Sequence, residues 1–117
     1  MNIQVISIAA RGNRNIEQVQ LSVIKDTNLS FYVALLTDHI EANSVRNGNL
    51  RAYWFPPQAV RAGDQVILLT CPGTNTSRQQ ANGSTTYFCY WGLPETVLTN
   101  PTSSVVLIEA STWAASS

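Results

Sequence analysis

From Glu17 to Ile24 the chain alternates without a break, with Val19, Leu21 and Val23 on one side and Gln18, Gln20 and Ser22 on the other. Successive side chains of a strand point to opposite faces, so this pattern predicts a half-buried antiparallel strand. Asn2 to Ala9 is strand-like too, but Ile3 and Val5 fall on one face and Ile6 and Ile8 on the other. That change of phase predicts a bulge or a strand covered on both sides. Phe31 to Thr37 reads as a third strand, denser in apolar residues. Leu50 to Phe55 follows as a strand that ends in Tyr53, Trp54 and Phe55 and runs into Pro56-Pro57, which cannot donate to a ladder. The Gly63-Asp64 turn then leads into an apolar run, Val66 to Leu69, within a strand that reaches Cys71. This run reads as a central strand of the core. Thr85 to Trp91 is an aromatic strand, Glu95 to Thr99 a short extended piece, and Ser104 to Ala110 the last strand.

Between these lie the turns Arg11–Asn15, Lys25–Asn28, Asn47-Gly48-Asn49 and Asn100-Pro101. Pro72 to Ser84 is the longest non-periodic piece, of a length at which loops are functional or disordered. Short strands with turn signals about every 8–12 residues, and no helical periodicity, predict an all-β chain folded as a sandwich of two mostly antiparallel sheets. The expected core includes Val19, Leu21, Phe31, Leu36, Phe55, Val66, Leu68 and Leu107. One domain is expected over residues 1–111, with a flexible tail over 112–117 that is small and polar apart from Trp113.

Composition narrows the function classes. The chain has 117 residues, seven basic and seven acidic, and only 12% are charged. Neutrality weakens any case for long-range steering to nucleic acid or acidic lipid. A polar but mostly uncharged surface favours a secreted or cell-surface setting over a nuclear one. No apolar stretch approaches the roughly 20 residues needed to cross a bilayer, so membrane insertion is not expected. The first residues carry no base ahead of their apolar run and make a poor signal peptide.

Candidate chemistry is sparse. Cys71 and Cys89 are either two reduced, partly buried thiols or a bridge across the 72–84 loop, and strand register decides between them. Two thiols and one histidine do not make a zinc site. His39, the only histidine, lies with Asp38 and Glu41 in a polar stretch that reads as solvated rather than cation-binding. No spacing assembles a catalytic set, a phosphate loop or a cofactor site, so no enzyme and no cofactor is expected. Arg46, Arg51 and Arg61 could form a small anion patch if they share a face, though solvated arginines are the plainer reading. Asn28, Asn75 and Asn82 head Asn-x-Ser triplets, acceptors of N-linked glycans only in a secreted chain. Trp91 reads as core; Trp113, beyond the last strand, is the better candidate for an exposed anchor.

Taken in order, these segments resemble the lamin-tail domain. Glu17, Val19 and Leu21 are similar to the family's Glu-x-Val-x-Leu strand. Phe31 through Asp38 lines up with its Leu-Ser-Gly-Trp-x-Leu-x-Asp segment, with Leu36 and Asp38 matching. Tyr53, Phe55, Pro56, Val60 and Gly63 resemble the aromatic-x-Phe-Pro corner, Gly73 to Thr76 the Gly-Thr-Asn-Thr loop, and Leu98 to Leu107 the closing strand, with Asn100 retained. Val33-Ala34 stand where Gly-Trp is usual, leaving space for Trp54 or Trp91 to fill, and Thr102-Ser103 replace a Gly-Asp turn. The resemblance implies an immunoglobulin-like sandwich and a non-catalytic module that binds another protein or serves as structure. Two other readings are a carbohydrate- or matrix-adhesion domain, which calls for a shallow aromatic platform near the 72–84 loop, and a nucleic-acid accessory domain, which calls for the three arginines on one face. A protein-binding module calls for an unguarded edge or an apolar patch above a few hundred Å².

Overall fold

Asn28 sets the phase of half the molecule. Its Oδ1 accepts the Ser30 N–H at 3.0 Å and so folds Leu29–Phe31 into one 3-10 turn. The turn sends Leu29 and Tyr32 into the core and starts the longest strand at Tyr32. The structure is a computed structural model that describes residues 1–41, 44–45, 51–99, 103–110, 112 and 114, without the side chains of 38–41 and 44–45. The strands of this all-β chain are β1 (Ile3–Ala9), β2 (Gln18–Val23), β3 (Thr27–Asn28), β4 (Tyr32–Glu41), β5 (Ser44–Val45), β6 (Arg51–Trp54), β7 (Ala59–Val60), β8 (Gln65–Leu69), β9 (Thr76–Gln79), β10 (Thr85–Tyr90) and β11 (Ser103–Glu109).

One sheet runs β1-β2-β8-β10-β9 and a second carries β11, β4 and β6, with β5 on the far end of β4. Ile3, Val19, Leu21, Val66, Leu68 and Cys89 of the first sheet share a core with Tyr32, Ala34, Val105 and Leu107 of the second, an arrangement compatible with a β-sandwich. The short β3–β7 pair lies at the corner, beside the proline segment. Among the described residues every strand pair is antiparallel except β8 with β10.

The alternation in β2 is realised as expected, with Val19, Leu21 and Val23 buried. The phase change in β1 is a bulge between Val5 and Ser7, which returns Ile8 to the side of Val19 and leaves Ile6 exposed. β8 is the middle strand of its sheet, bonded to β2 and β10. It is entered through Gly63, at φ +94, and Asp64, whose carboxylate accepts the N–H groups of Arg61 and Thr85, each at 2.9 Å. Asp64 is thus a buried turn residue that ties the start of β8 to the start of β10.

Several expectations are corrected. Phe31 is exposed rather than buried, because the 3-10 turn gives the inward position to Leu29 and the next one to Tyr32. Leu36 is half-buried, packed at the margin of the core. The 72–84 segment is not one irregular loop: Thr76–Gln79 is an edge strand that turns back through residues 80–84 into β10. No bridge joins the cysteines, and both thiols are free and buried. The chain passes from β8 out to the edge strand before returning, so β10 lies parallel to β8, with Cys89 beside Leu68 and Cys71 beyond the paired residues. Trp54 does not fill the space beside Ala34, since it faces out; Tyr53 lies across from Ala34 and meets Phe55 edge-on at 5.0 Å and Trp91 at 6.0 Å. Glu95–Thr99, read as a short extended piece, belongs to no sheet. Of the expected 112–117 tail only Thr112 and Ala114 are described, both exposed.

Candidate functional site

The outer face of the second sheet is apolar across all three strands. Register places Trp54, Val33 and Ile108 in one row across β6, β4 and β11, and Ala52, Leu35 and Val106 in the next. Inward positions alternate with these: Ala34 and Leu107 are buried below, as is Tyr32. Phe31, two positions before Val33, adds a further exposed ring. Trp54 is 50% exposed, Phe31 42% and Ile108 40%, while Val33, Leu35 and Val106 are half-buried. None of the seven side chains is ionisable. Together they present on the order of 400 Å² of apolar surface, comparable to the largest patch on an ordinary monomer, which is often a functional one.

The Trp54 indole is held rather than loose, since its Nε1–H donates to the Ser30 carbonyl at 2.8 Å. The signal for this face was present in the sequence as two unbroken apolar runs, Phe31–Leu36 and Val105–Ile108. Strands buried on both faces read that way. Here the core covers one face of each run, and the other keeps Trp54, Phe31 and Ile108 partly exposed while Thr37, further along β4, is buried.

The remaining clusters are structural in character. Glu17 is 1% exposed. Its Oε2 accepts the Thr70 hydroxyl at 2.5 Å and the Val97 N–H at 2.9 Å; its Oε1 accepts the N–H groups of Gly12 and Leu98, each at 3.2 Å. Burial pushes its pKa up, but the Thr70 hydroxyl and the three N–H groups outweigh this and hold it below the ordinary value. A carboxylate so fully bonded has no lone pair aimed at a substrate. It instead pins the 95–99 segment against β2. Burial likewise raises the Cys89 thiol, with the Tyr53 hydroxyl opposing, so this thiol is not an activated nucleophile. The Tyr32 hydroxyl, raised by burial and by its bond to Glu109, closes one end of the β4–β11 pair, where the two residues lie opposite each other.

Two shallow depressions lie elsewhere on the described surface. One, of about 280 Å³, lies between the Pro56–Gln58 corner and the β9–β10 edge, with Leu29 and Tyr87 in its lining. The other, of about 500 Å³, is lined by Arg61, Asp26, Asp64, Asn82 and Ser84. Arg61 thus stands in a hollow with two carboxylates rather than in a basic patch. Arg51 is exposed on β6, and neither of these two hollows includes it. Arg46 and Trp113 lie outside the described residues, as do the side chains of Asp38, His39 and Glu41. Among the described residues no group of three metal-ligating side chains is drawn together, and no helix is long and apolar enough to cross a membrane.

The three glycan-acceptor asparagines differ. Asn82 is exposed in the 80–84 turn, with its Oδ1 bonded to the Ser84 hydroxyl and N–H. Asn75 donates through Nδ2 to the Tyr53 hydroxyl at 3.4 Å and accepts the Tyr90 N–H at 3.0 Å. Asn28 is half-buried, with Oδ1 shared between the N–H groups of Ser30 and Gln58. Trp91 is half-buried and packs against the core. Comparison with known protein families, with characterised proteins and with solved structures yields no match.

Proposed function

We propose that the chain is a non-catalytic interaction module, an immunoglobulin-like sandwich of lamin-tail type, that binds another protein through the outer face of β4, β6 and β11. One observation carries this reading: two strands whose sequences are apolar on both sides turn one side to the core and the other outward, where Trp54, Phe31 and Ile108 stay 40–50% exposed. The lamin-tail reading rests on the residues quoted above. It is supported by the place of Glu17, Val19 and Leu21 at the start of β2, with all three buried, and by Phe55 plugging the corner before Pro56. Buried aromatic anchors supply most of the affinity of such surfaces, and Trp54 is the residue here with the most to gain from cover.

A carbohydrate-binding reading has one observation behind it. The outer face of the first sheet carries Phe88 and Tyr90 beside Ile67, and next to them a bonded row from Ser7 to Gln20 to Gln18. Amide-shift mapping separates the two. A protein ligand is expected to move the amides of β4, β6 and β11, with the shifts lost in Trp54→Gln, and a glycan panel is expected to leave them in place. Shifts that converge on Asp38, His39 and Glu41, or tight binding of a metal there, would sink the interaction reading.

A further inference from the structure

We propose that the free edge of β9 takes an extended peptide from another protein as an added strand of the first sheet, with an apolar residue in the groove beside the proline corner and an acidic one next to Arg78. The site belongs to the other sheet from the face of β4, β6 and β11, and stands or falls independently of it. β9 ends its sheet, paired with β10 alone. That pairing continues into the turn, where the Gln80 N–H donates to the Ser84 carbonyl at 2.7 Å. Antiparallel neighbours alternate between bonded and unbonded pairs. Counted back from Gln80, Arg78 and Thr76 bond to β10, while Ser77 and Gln79 turn their N–H and carbonyl groups outward. Those groups have no partner among the described residues, and all four residues of β9 are exposed. At the opposite edge of the sheet, β1 is broken by the bulge between Val5 and Ser7, a device that discourages pairing. β9 keeps an unbroken register and contains no proline or glycine. Such a row of backbone groups is matched by another extended backbone, which fixes the class of the occupant.

Both ends of the edge are already held. At one, Asn75 Oδ1 accepts the Tyr90 N–H at 3.0 Å; at the other, Asn82 Oδ1 accepts the Ser84 N–H and hydroxyl within the turn. Little backbone freedom is left to lose on binding. Side chains then select the sequence. Ser77 lies opposite Tyr87, and the hollow of about 280 Å³ runs beside them, with Leu29, Pro56 and Pro57 also in its lining. A strand laid on β9 sends successive side chains to opposite faces. The residue across from Ser77 faces the hollow, whose proline and tyrosine rings suit an aliphatic side chain. Its neighbour, across from Arg78, faces the other way. Arg78 stands exposed opposite Thr86 on that outer side, and no carboxylate pairs with it among the described residues. An aspartate or glutamate directly across the ladder is the favourable match.

Amide-shift titration of the full chain with an end-blocked peptide carrying Val-Glu-Val at its centre tests this. Saturable shifts are expected in β9, β10 and Gln58, with a Kd of roughly tens to hundreds of µM. A Val-Lys-Val peptide should bind about two- to fivefold more weakly, and Arg78→Glu should reverse that preference. Ser77→Pro removes one outward N–H and keeps the bonds to β10, so it should weaken binding more than about tenfold. Gln79→Pro serves in its place if urea unfolding shows that chain to be unstable. Absence of shifts up to about 1 mM peptide, or binding that the proline leaves intact, overturns the proposal. Shifts confined to β4, β6 and β11 also overturn it, and leave the reading of that face standing. β9 shifts that grow with chain concentration alone and vanish in Ser77→Pro would give the edge to a second copy, against the partner assigned here. A preference for Val-Glu-Val that persists in Arg78→Glu rejects the placement of the peptide on β9.

Discussion

Glu17 is the residue on which the closed end of the fold depends. The segment it holds has no strand of its own: the Val97 and Leu98 N–H groups bond to the carboxylate, and Leu98 fills the core. Removing one accepting oxygen turns a matched set of donors into a clash of N–H groups in a dry site, so Glu17→Gln should cost about 1–3 kcal/mol at neutral pH. The pH dependence has a definite sign. The folded pKa lies below the ordinary value of 4.5, so the stabilisation is fully present above that value and is lost as pH falls through the lower folded one. Urea unfolding of the native and Glu17→Gln chains should therefore differ by a constant amount between about pH 5 and pH 7, with the gap closing below about pH 4.5. A gap that persists unchanged at pH 3 would show that the ionised carboxylate is not what holds the segment. Sequence places Glu17 at a strand start but gives no sign of its burial, because three of its four donors are backbone N–H groups, two of them 80 or more residues away.

At the scale of elements, legibility followed covering. β2 was readable because one face meets the core and the other meets solvent; the bulge in β1 was readable because it breaks that same period. β9 was not. Thr76, Ser77, Arg78 and Gln79 are all exposed on an edge, so no alternation records the strand. Gly73 hints at the path instead, since a Cβ there would collide with the Tyr90 ring over which the chain passes. The parallel β8–β10 pair was hidden for a related reason: it follows from the excursion through β9, not from anything in β8 or β10. The candidate site was half legible. The apolar runs in β4 and β11 are plain in the sequence, but which side of each is bare depends on the phase set by the Asn28 turn. The proline corner was legible and carries a prediction. Phe55 is buried, its N–H reaches the Tyr32 carbonyl at 3.3 Å, and its ring packs edge-on against Tyr53. Phe55→Ala should cost about 3–5 kcal/mol in urea unfolding, more than any substitution in the 80–84 turn. A loss under about 1 kcal/mol would make the ring peripheral and the corner self-supporting.

The molecule as a whole offers two kinds of surface, and salt distinguishes them. Arg51 lies on β6 and Arg61 in the turn after β7, where it shares its hollow with Asp26 and Asp64. Binding through either arginine would be screened, since the Debye length falls from above 10 Å to a few Å as salt rises toward molar levels. Binding through the face of Trp54, Val33 and Ile108 involves no charge and gains from anything that raises the cost of apolar hydration. The affinity of a protein bound to that face should change less than about twofold between roughly 50 and 500 mM sodium chloride. It should strengthen in ammonium sulfate, whose anion is excluded from protein surfaces, and calorimetry should show a negative heat-capacity change on association. An affinity that instead falls tenfold or more over the same chloride range would assign the binding to the arginines. The apolar face would then be left with only a packing role, and Trp54→Gln would be expected to leave the affinity intact.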